Sequence, residues 1–387
     1  MSNGIFERAL AERPGLLIDG KLHVWTDFLR PGPDAPSPFA RECVERFGAE
    51  SFYAALSRFL ETLLDDTAAL RVQTSGSTGR PKPFWAEKRR MAASARMTCS
   101  FLGLEPGEKN LLAMPLDYIA GKMVVVRSVV CGLDLVVRTP KSDPFDGLDA
   151  AQQPLGLCAV TPMQAVTILK HPQSARAFLE SRNILIGGGA VDEELFEALQ
   201  AAKGAVYSTY GMTETLSHVA LRRLKGPAGT RSETHYKPLP GVKVSLSAKG
   251  TLVIAAPAVA GEPLTTNDIA EIAPDGAFRI LGRLDNVINT GGIKVQIETV
   301  EAKLARVIPC PFAITARTSH TFGHEVVLLV EGDPAAIDFD AVCAALGRYE
   351  KPHAVFGVER LPRTETGKTA RRATRELAER LSRGEAA

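Results

Sequence analysis

Between residues 70 and 254 the chain alternates between two kinds of segment, and this alternation restricts its folds more than any other feature. Short apolar runs stand at 111–114, 133–137, 157–160, 183–186 and 205–208. Segments with helical patterning separate them at 88–101, 119–130, 163–169 and 193–202. Short apolar runs alternating with helices predict a sheet covered by helices on both faces. A β-rich stretch follows at 242–254 and 278–281, with turns at Lys249-Gly250 and Asp275-Gly276. Ahead of the alternation, 16–27 reads as two strands about an Asp19-Gly20 turn, and 31–38 is a Pro-rich loop. Phe52, Leu56, Phe59 and Leu63 then recur at helical spacing, which predicts one or two helices in 40–70. Beyond Asp285 the pattern changes. A helix is expected at 296–305, strands at 313–316 and 325–331 about Phe322-Gly323, and helices at 337–346 and 369–383. This is an α/β chain in two parts, 1–285 and 286–387, the second being the size of a small α+β domain.

Composition narrows the function. The 46 Lys and Arg residues nearly cancel the 44 Asp and Glu, so bulk charge builds no polyanion-binding surface and a nucleic-acid partner is not expected. Cysteines stand at 43, 99, 131, 158, 310 and 343 with no CxxC pair, against zinc-ribbon and thioredoxin readings. Dispersed thiols of this kind suit small core positions in a reducing compartment. The N-terminus MSNGIFERAL lacks a leader-like apolar run, and the run 123–130 is short and broken by Arg127. A soluble cytoplasmic chain without a membrane partner is expected. Its oligomeric state is open, and a homodimer is compatible with the sequence.

Four segments could carry chemistry. Thr74-Ser75-Gly76-Ser77-Thr78-Gly79-Arg80-Pro81-Lys82 follows a strand-like stretch at 69–72. Hydroxyls and glycines give many donors with little bulk, which suits a phosphate chain, and Arg80 and Lys82 add charge. It is not a Walker A loop, because Lys82 lies between Pro81 and Pro83. The plain alternative is a polar surface turn. Tyr207-Ser208-Thr209-Tyr210-Gly211-Met212-Thr213-Glu214 sits at a strand's carboxyl end, where an exposed ring can stack on a base and a carboxylate can hold Mg²⁺. Its alternative is a helix start capped by Thr213. Thr266-Asn267-Asp268 and Gly282-Arg283-Leu284-Asp285 offer a carboxylate and a guanidinium for ribose hydroxyls, or are simply hairpin-turn residues. Residues 361–368 present Lys368 ahead of a basic helix, or form a solvated loop.

Taken in order, TSGSTGRPK, YGMTE, TND with GRLD, and PRTETGK resemble the successive signature motifs of the adenylate-forming superfamily. That superfamily includes acyl-CoA synthetases, luciferases and peptide-synthetase adenylation domains. The resemblance spans about residues 70–372. It implies a large N-terminal domain and a small mobile C-terminal one. It also implies carboxylate + MgATP → acyl-adenylate + pyrophosphate, then acyl-adenylate + coenzyme A → acyl-CoA + AMP.

By family pattern Thr74, Ser75, Gly76, Ser77, Thr78, Gly79 and Lys82 cradle the β- and γ-phosphates of ATP. Tyr210, with Gly211 beside it, stacks on adenine, and Gly187, Gly188 and Gly189 line the same cleft. Thr213 meets the α-phosphate and Glu214 the Mg²⁺. Asp268 takes the ribose hydroxyls with Arg283 in support. Lys368 bridges the carboxylate and α-phosphate, neutralising two anions that must approach. Asp285 matches the hinge about which the C-terminal domain turns, and Gly291, Gly292 and Lys294 would line the coenzyme A channel.

Two features depart from the family. The phosphate loop begins unusually early, and Tyr118 stands where the family often has His, which leaves the acyl-pocket gate open. Within the superfamily, MPLDYIAGKMVVVRS, GMTETLSHVALRRL and DNVINTGGIKV look most like the short-form o-succinylbenzoate–CoA ligases of menaquinone biosynthesis. The spare carboxylate of that acid needs a cation or hydroxyl. Tyr118, Lys122, Ser217, His218 and Arg222 are the candidates for the pocket, against readings of Arg222 as surface charge and His218 as a satisfied core residue. Another aryl- or short-acyl-CoA ligase, an enzyme that loads a carrier-protein thiol, and a non-catalytic nucleotide binder are the competing readings.

Overall fold

The structure is a computed structural model that describes residues 11–32, 34–73, 83–226, 232–319, 321–364 and 368–385. The chain begins with a hairpin of β1 (Gly15–Ile18) and β2 (Lys21–Val24) about Asp19-Gly20. Helices Pro38–Phe47 and Phe52–Leu64 follow, each started by a serine whose side chain accepts from the N3 backbone N–H. Strands β3 (Ala69–Gln73) and β4 (Pro83–Glu87) pair with each other antiparallel.

The alternating region then builds β5 (Lys109–Leu112), β6 (Asp134–Val137), β7 (Leu157–Val160), β8 (Asn183–Ile186) and β9 (Ala205–Gly211), and after them β10 (His218–Lys225) and β11 (Lys237–Pro238). Among the described residues these join the first hairpin in one sheet, ordered β11-β10-β9-β8-β7-β5-β6-β1-β2. Neighbours from β9 to β1 are parallel, and antiparallel strands extend both edges. Every position of β6 and β8 is buried. A strand covered on both faces needs no polar alternation, so each reads as three consecutive apolar residues after a polar first position, Asp134 or Asn183.

The β-rich stretch becomes a four-stranded antiparallel sheet of β12 (Lys243–Leu246), β13 (Thr251–Ala255), β14 (Leu264–Ile272) and β15 (Phe278–Arg283). A third sheet holds β16 (Val287–Thr290), β17 (Ile293–Gln296), β18 (Phe312–Ser319), β19 (Gly323–Glu331) and β20 (Ala354–Val358), with helices Ile297–Leu304, Phe339–Ala345 and Arg371–Ser382. The buried apolar residues fall into four clusters. Two use only residues up to Phe278, and two use only residues from Ile288 onward. No helix among the described residues is long and apolar enough to cross a membrane.

Several local readings need correction. Thr213 does not start an α-helix: β9 runs through Tyr210 and Gly211, a single 3-10 turn spans Thr213–Thr215, and the chain returns as β10. Thr266, Asn267 and Asp268 lie inside β14, not in a hairpin turn. Helix Pro172–Leu179 and strand β20 were not anticipated. The helix opens on a proline at its first position, a start signal that reads equally well as a break.

Candidate active site

The parallel strands β8 and β9 end side by side, and open α/β sheets bind ligands at their strands' carboxyl ends. Beyond β8, Gly187 approaches Thr209 so closely that a Cβ there would lie 2.7 Å from the threonine Oγ1. Gly188 has a φ of +84°, which favours glycine. At the end of β9, a Cβ on Gly211 would lie 2.4 Å from the Ser217 carbonyl oxygen. Bare backbone therefore lines this edge of the cleft.

A charged chain of contacts runs from β9 through β14 and β15 to Asp285. The Tyr210 hydroxyl donates to Asp268 at 2.6 Å. Arg283, opposite Asp268 in the β14–β15 register, donates to it at 3.2 Å. The other side of the guanidinium forks onto Asp285 at 2.9 and 2.8 Å. Burial alone would raise the Asp285 carboxyl, but Arg283 outweighs it and holds the group below the ordinary carboxylate value. Tyr210 is half-buried, not exposed, with its ring edge-on to Phe278 at 5.2 Å. Burial and then Asp268 push its hydroxyl well above the usual range.

Lys368 comes from far along the chain to within electrostatic reach of Arg283 and Asp268. Lys368 is exposed as a residue, yet enough protein surrounds its ammonium that desolvation is the main cause lowering it; Arg283 adds to this and Asp268 opposes them. Its backbone is held by exchange with Thr364, at 2.8 Å through N–H to carbonyl and 3.2 Å through N–H to Oγ1. Gln296 donates to the Arg283 carbonyl at 3.0 Å, and a Cβ on Gly282 would strike that amide.

The turn between β9 and β10 has a different character. Thr215 receives the Met212 N–H at 2.9 Å and closes the turn that carries Thr213, buried, and Glu214, exposed. Leu216 then takes φ +65°, a left-handed conformation costly for a branched side chain. That kink is followed directly by Ser217 and His218. Arg127 donates to the Ser217 Oγ at 2.6 Å, and His218 Nε2 meets the Thr98 hydroxyl at 3.0 Å. Burial lowers the His218 imidazole well below 6.5, and Arg127 lowers it further, so the ring is neutral.

Arg127 is 3% exposed, and its Nε has no partner. Among the described residues no carboxylate forms an ion pair with it. The sequence reading noticed it only as a break in an apolar run. That break was the available signal, since a guanidinium inside a buried helix needs an anion or a network.

The other pocket candidates are dispersed. Lys122 Nζ donates to the carbonyls of Leu116 and Asp117 and sits 5.5 Å over the Phe59 ring, against a cavity of about 470 Å³. Arg222 lies 5.4 Å over the Tyr236 ring. Tyr118 stands at the N-cap of helix Ile119–Cys131. Thr74, Ser75, Gly76, Ser77, Thr78, Gly79 and Lys82 lie outside the described residues, between the paired ends Gln73 and Pro83 of β3 and β4. Gly291 and Gly292, at φ +57° and +82°, make the β16–β17 turn, with Lys294 exposed next to it.

The sheet, the glycine-lined strand ends and the tyrosine–carboxylate–guanidinium chain agree with a family match. The model of the AMP-binding enzyme family matches residues 31–266, and the chain belongs to that family. Within it, the chain is 32% identical over 341 residues to the probable 2-succinylbenzoate–CoA ligase of Mycobacterium tuberculosis, covering 80% of this chain and 84% of that protein. The 2-succinylbenzoate–CoA ligase of a Geobacillus species is 29% identical, with 81% and 69% covered. Among solved structures, an acyl-CoA synthetase (AMP-forming)/AMP-acid ligase II-like protein from Dyadobacter fermentans aligns with a TM-score of 0.56 at 33% identity, covering 84% of this chain and 94% of its own. The o-succinylbenzoate coenzyme A synthetase of Bacillus subtilis, solved with ATP and magnesium ion, aligns with a TM-score of 0.65. At 22% identity, over 78% of this chain and 68% of its own, that likeness speaks for the fold.

Proposed function

We propose that this chain is an AMP-forming acid–CoA ligase whose acid is o-succinylbenzoate. The observation that carries the choice of acid is the buried Arg127 guanidinium, bound to Ser217 and near a neutral His218, with no carboxylate paired to it among the described residues. An aryl dicarboxylate activates one carboxyl and must seat the other. Once water is excluded, the second carboxylate needs a positive partner and donors. Arg127 supplies the charge and Ser217 a hydroxyl. The likeness to 2-succinylbenzoate–CoA ligases supports the same acid.

In the first half-reaction the acid carboxylate attacks the α-phosphorus of ATP and pyrophosphate leaves. Lys368 lies between the two anions and lowers their repulsion. Asp268, preset by Tyr210 and Arg283, accepts from the ribose hydroxyls. Thr213 donates to the α-phosphate, and residues 74–82 hold the outer phosphates. Among the described residues no group of three or more His, Cys, Asp or Glu could hold a metal ion. Glu214 is the carboxylate ligand to Mg²⁺ that arrives with the nucleotide, as hard oxygen ligation of this ion allows.

In the second half-reaction the coenzyme A thiol attacks the acyl carbon and AMP leaves. The chain divides at Asp285 into parts 1–285 and 286–387, and that residue is the pivot. The part beyond Asp285 withdraws Lys368 and brings Gly291, Gly292 and Lys294 to the cleft. Cores that share no residue across this point suit such a turn. Pyrophosphate exchange with o-succinylbenzoate, benzoate, acetate and a long-chain fatty acid tests the reading. Exchange strongest with o-succinylbenzoate, followed by thioester with coenzyme A, is expected. Equal exchange with benzoate would remove the second carboxylate from the account.

A further inference from the structure

We propose that Cys99 and Cys131 form an oxidisable dithiol behind the acid pocket, closed to an intramolecular disulfide by a small anionic disulfide. The two residues lie on helices Lys88–Leu102 and Ile119–Cys131, which pack against each other. The Cys131 Sγ sits 3.9 Å from the Ala95 carbonyl oxygen. Ala95 is one turn before Cys99, and helical side chains lean back over the preceding turn. The Cys99 thiol therefore lies on the same patch as the Cys131 sulfur.

Their environments differ in the way an exchange reaction needs. Cys99 is 3% exposed, whereas Cys131 is only partly buried. Contact with Cys99 lowers the Cys131 thiol and burial opposes it; Arg127, Arg13 and Arg96 then add to the lowering. The carboxyl end of its helix works against the thiolate, and three guanidiniums outnumber that partial charge. Cys43 and Cys158 are pushed up to about 12 by burial, and Cys99 is raised further by Cys131 and then by burial, so Cys131 alone is the first attacking thiol of the pair. A thiolate ringed by arginines attacks an anionic disulfide faster than a cationic one.

The chemistry balances as two exchanges. The Cys131 thiolate attacks one sulfur of RSSR, the RS–SR bond breaks, and RS⁻ leaves. Cys99 then loses its proton and attacks the Cys131 sulfur, expelling the second RS⁻. The two cysteines are oxidised by two electrons and RSSR is reduced to two thiols.

The location gives this bond a consequence that rests on the acid pocket proposed above. Cys131 is one turn beyond Arg127 on the same helix, and Cys99 adjoins Thr98, whose hydroxyl meets His218. A disulfide staples together the helices that place both groups.

The test uses the full reduced chain with its six free cysteines. Glutathione disulfide should remove two thiols, leave no glutathione attached, and give a peptide pair linking 99 to 131. Cationic cystamine should do so more slowly. Cys99→Ser should stop at glutathione bound to Cys131, and alkylation of unmodified protein should label Cys131 before Cys99. Absence of the 99–131 link, or capture of glutathione at another cysteine, overturns the dithiol and leaves the acid pocket untouched. Oxidation is expected to raise KM for o-succinylbenzoate about five-fold, reversibly with dithiothreitol and without a change in KM for ATP. A mapped link with unchanged KM upholds the dithiol and counts against the Arg127 pocket.

Discussion

The two ends of the cleft handle charge in opposite ways. At the nucleotide end, Arg283 lies between Asp268 and Asp285, with Tyr210 donating to the first carboxylate. Each group there has its partner before any ligand binds. At the acid end, Arg127 is deeper, touches a serine and stands near an uncharged histidine. A cluster that satisfies itself is a preset frame, and frames cost no reorganisation when the substrate arrives. A buried cation with no anion among the described residues suits a site that waits for one. On the proposed reading, the contrast separates what holds the shared substrate, ATP, from what selects the particular acid.

The comparison can be broken most severely at Lys368, which serves neither end structurally. Lys368→Ala should lower adenylation about 10³-fold while sparing thioester formation from supplied acyl-adenylate. Rapid-quench assays of each half-reaction measure the split, and equal losses would refute the role. Because desolvation and Arg283 lower the Lys368 ammonium, its proton leaves at a lower pH than that of an ordinary lysine. The alkaline limb of the adenylation profile should therefore fall early and disappear in the alanine variant. Glu214→Gln should raise the Mg²⁺ needed for half-maximal exchange about tenfold, read from a metal titration. An unchanged titration would take Glu214 out of the site.

Stability sharpens the contrast further. Arg127→Leu removes a buried charge that no carboxylate among the described residues neutralises, so the folded chain should gain about 1 kcal/mol or more. Arg283→Met leaves Asp268 and Asp285 facing each other and should lose about 1 kcal/mol, the range for half-exposed ion pairs. Urea unfolding of the two variants checks the opposite signs. A pH effect belongs to His218. Its folded value lies below the unfolded 6.5, so the unfolded chain takes up the proton first as pH falls. Stability is then full above about 6.5 and declines as pH falls below it. His218→Gln should flatten that slope in thermal melts.

Much of the nucleotide end was legible in the sequence because its residues fall in compact motifs. Tyr210, Asp268 and Arg283 meet through strand register, and register follows from patterned strands. The parallel strands were legible because burial on both faces makes them plainly apolar. The acid end was legible only in part. Ser217 and His218 follow a recognisable motif, but Arg127 lies ninety residues earlier on another element. Its contact depends on how a helix packs against a turn kinked at Leu216, which no local pattern encodes. Arg222, put ahead of Lys122 as the cation, lies over an aromatic ring, its Nε buried and, like that of Arg127, without a hydrogen-bond partner among the described residues, and Lys122 faces backbone carbonyls. Side-chain direction decided between these cations, and sequence spacing does not contain it.

The most direct test of the waiting cation is substrate preference in Arg127→Leu. Pyrophosphate exchange is measured with o-succinylbenzoate and with benzoate, in the parent chain and in the variant, at saturating ATP. The account predicts that kcat/KM for o-succinylbenzoate falls about 10²-fold while exchange with benzoate is little changed, so the preference collapses. A variant that keeps the parent's preference, with both acids reduced alike, would show that Arg127 supports the fold or the nucleotide and does not read the second carboxylate.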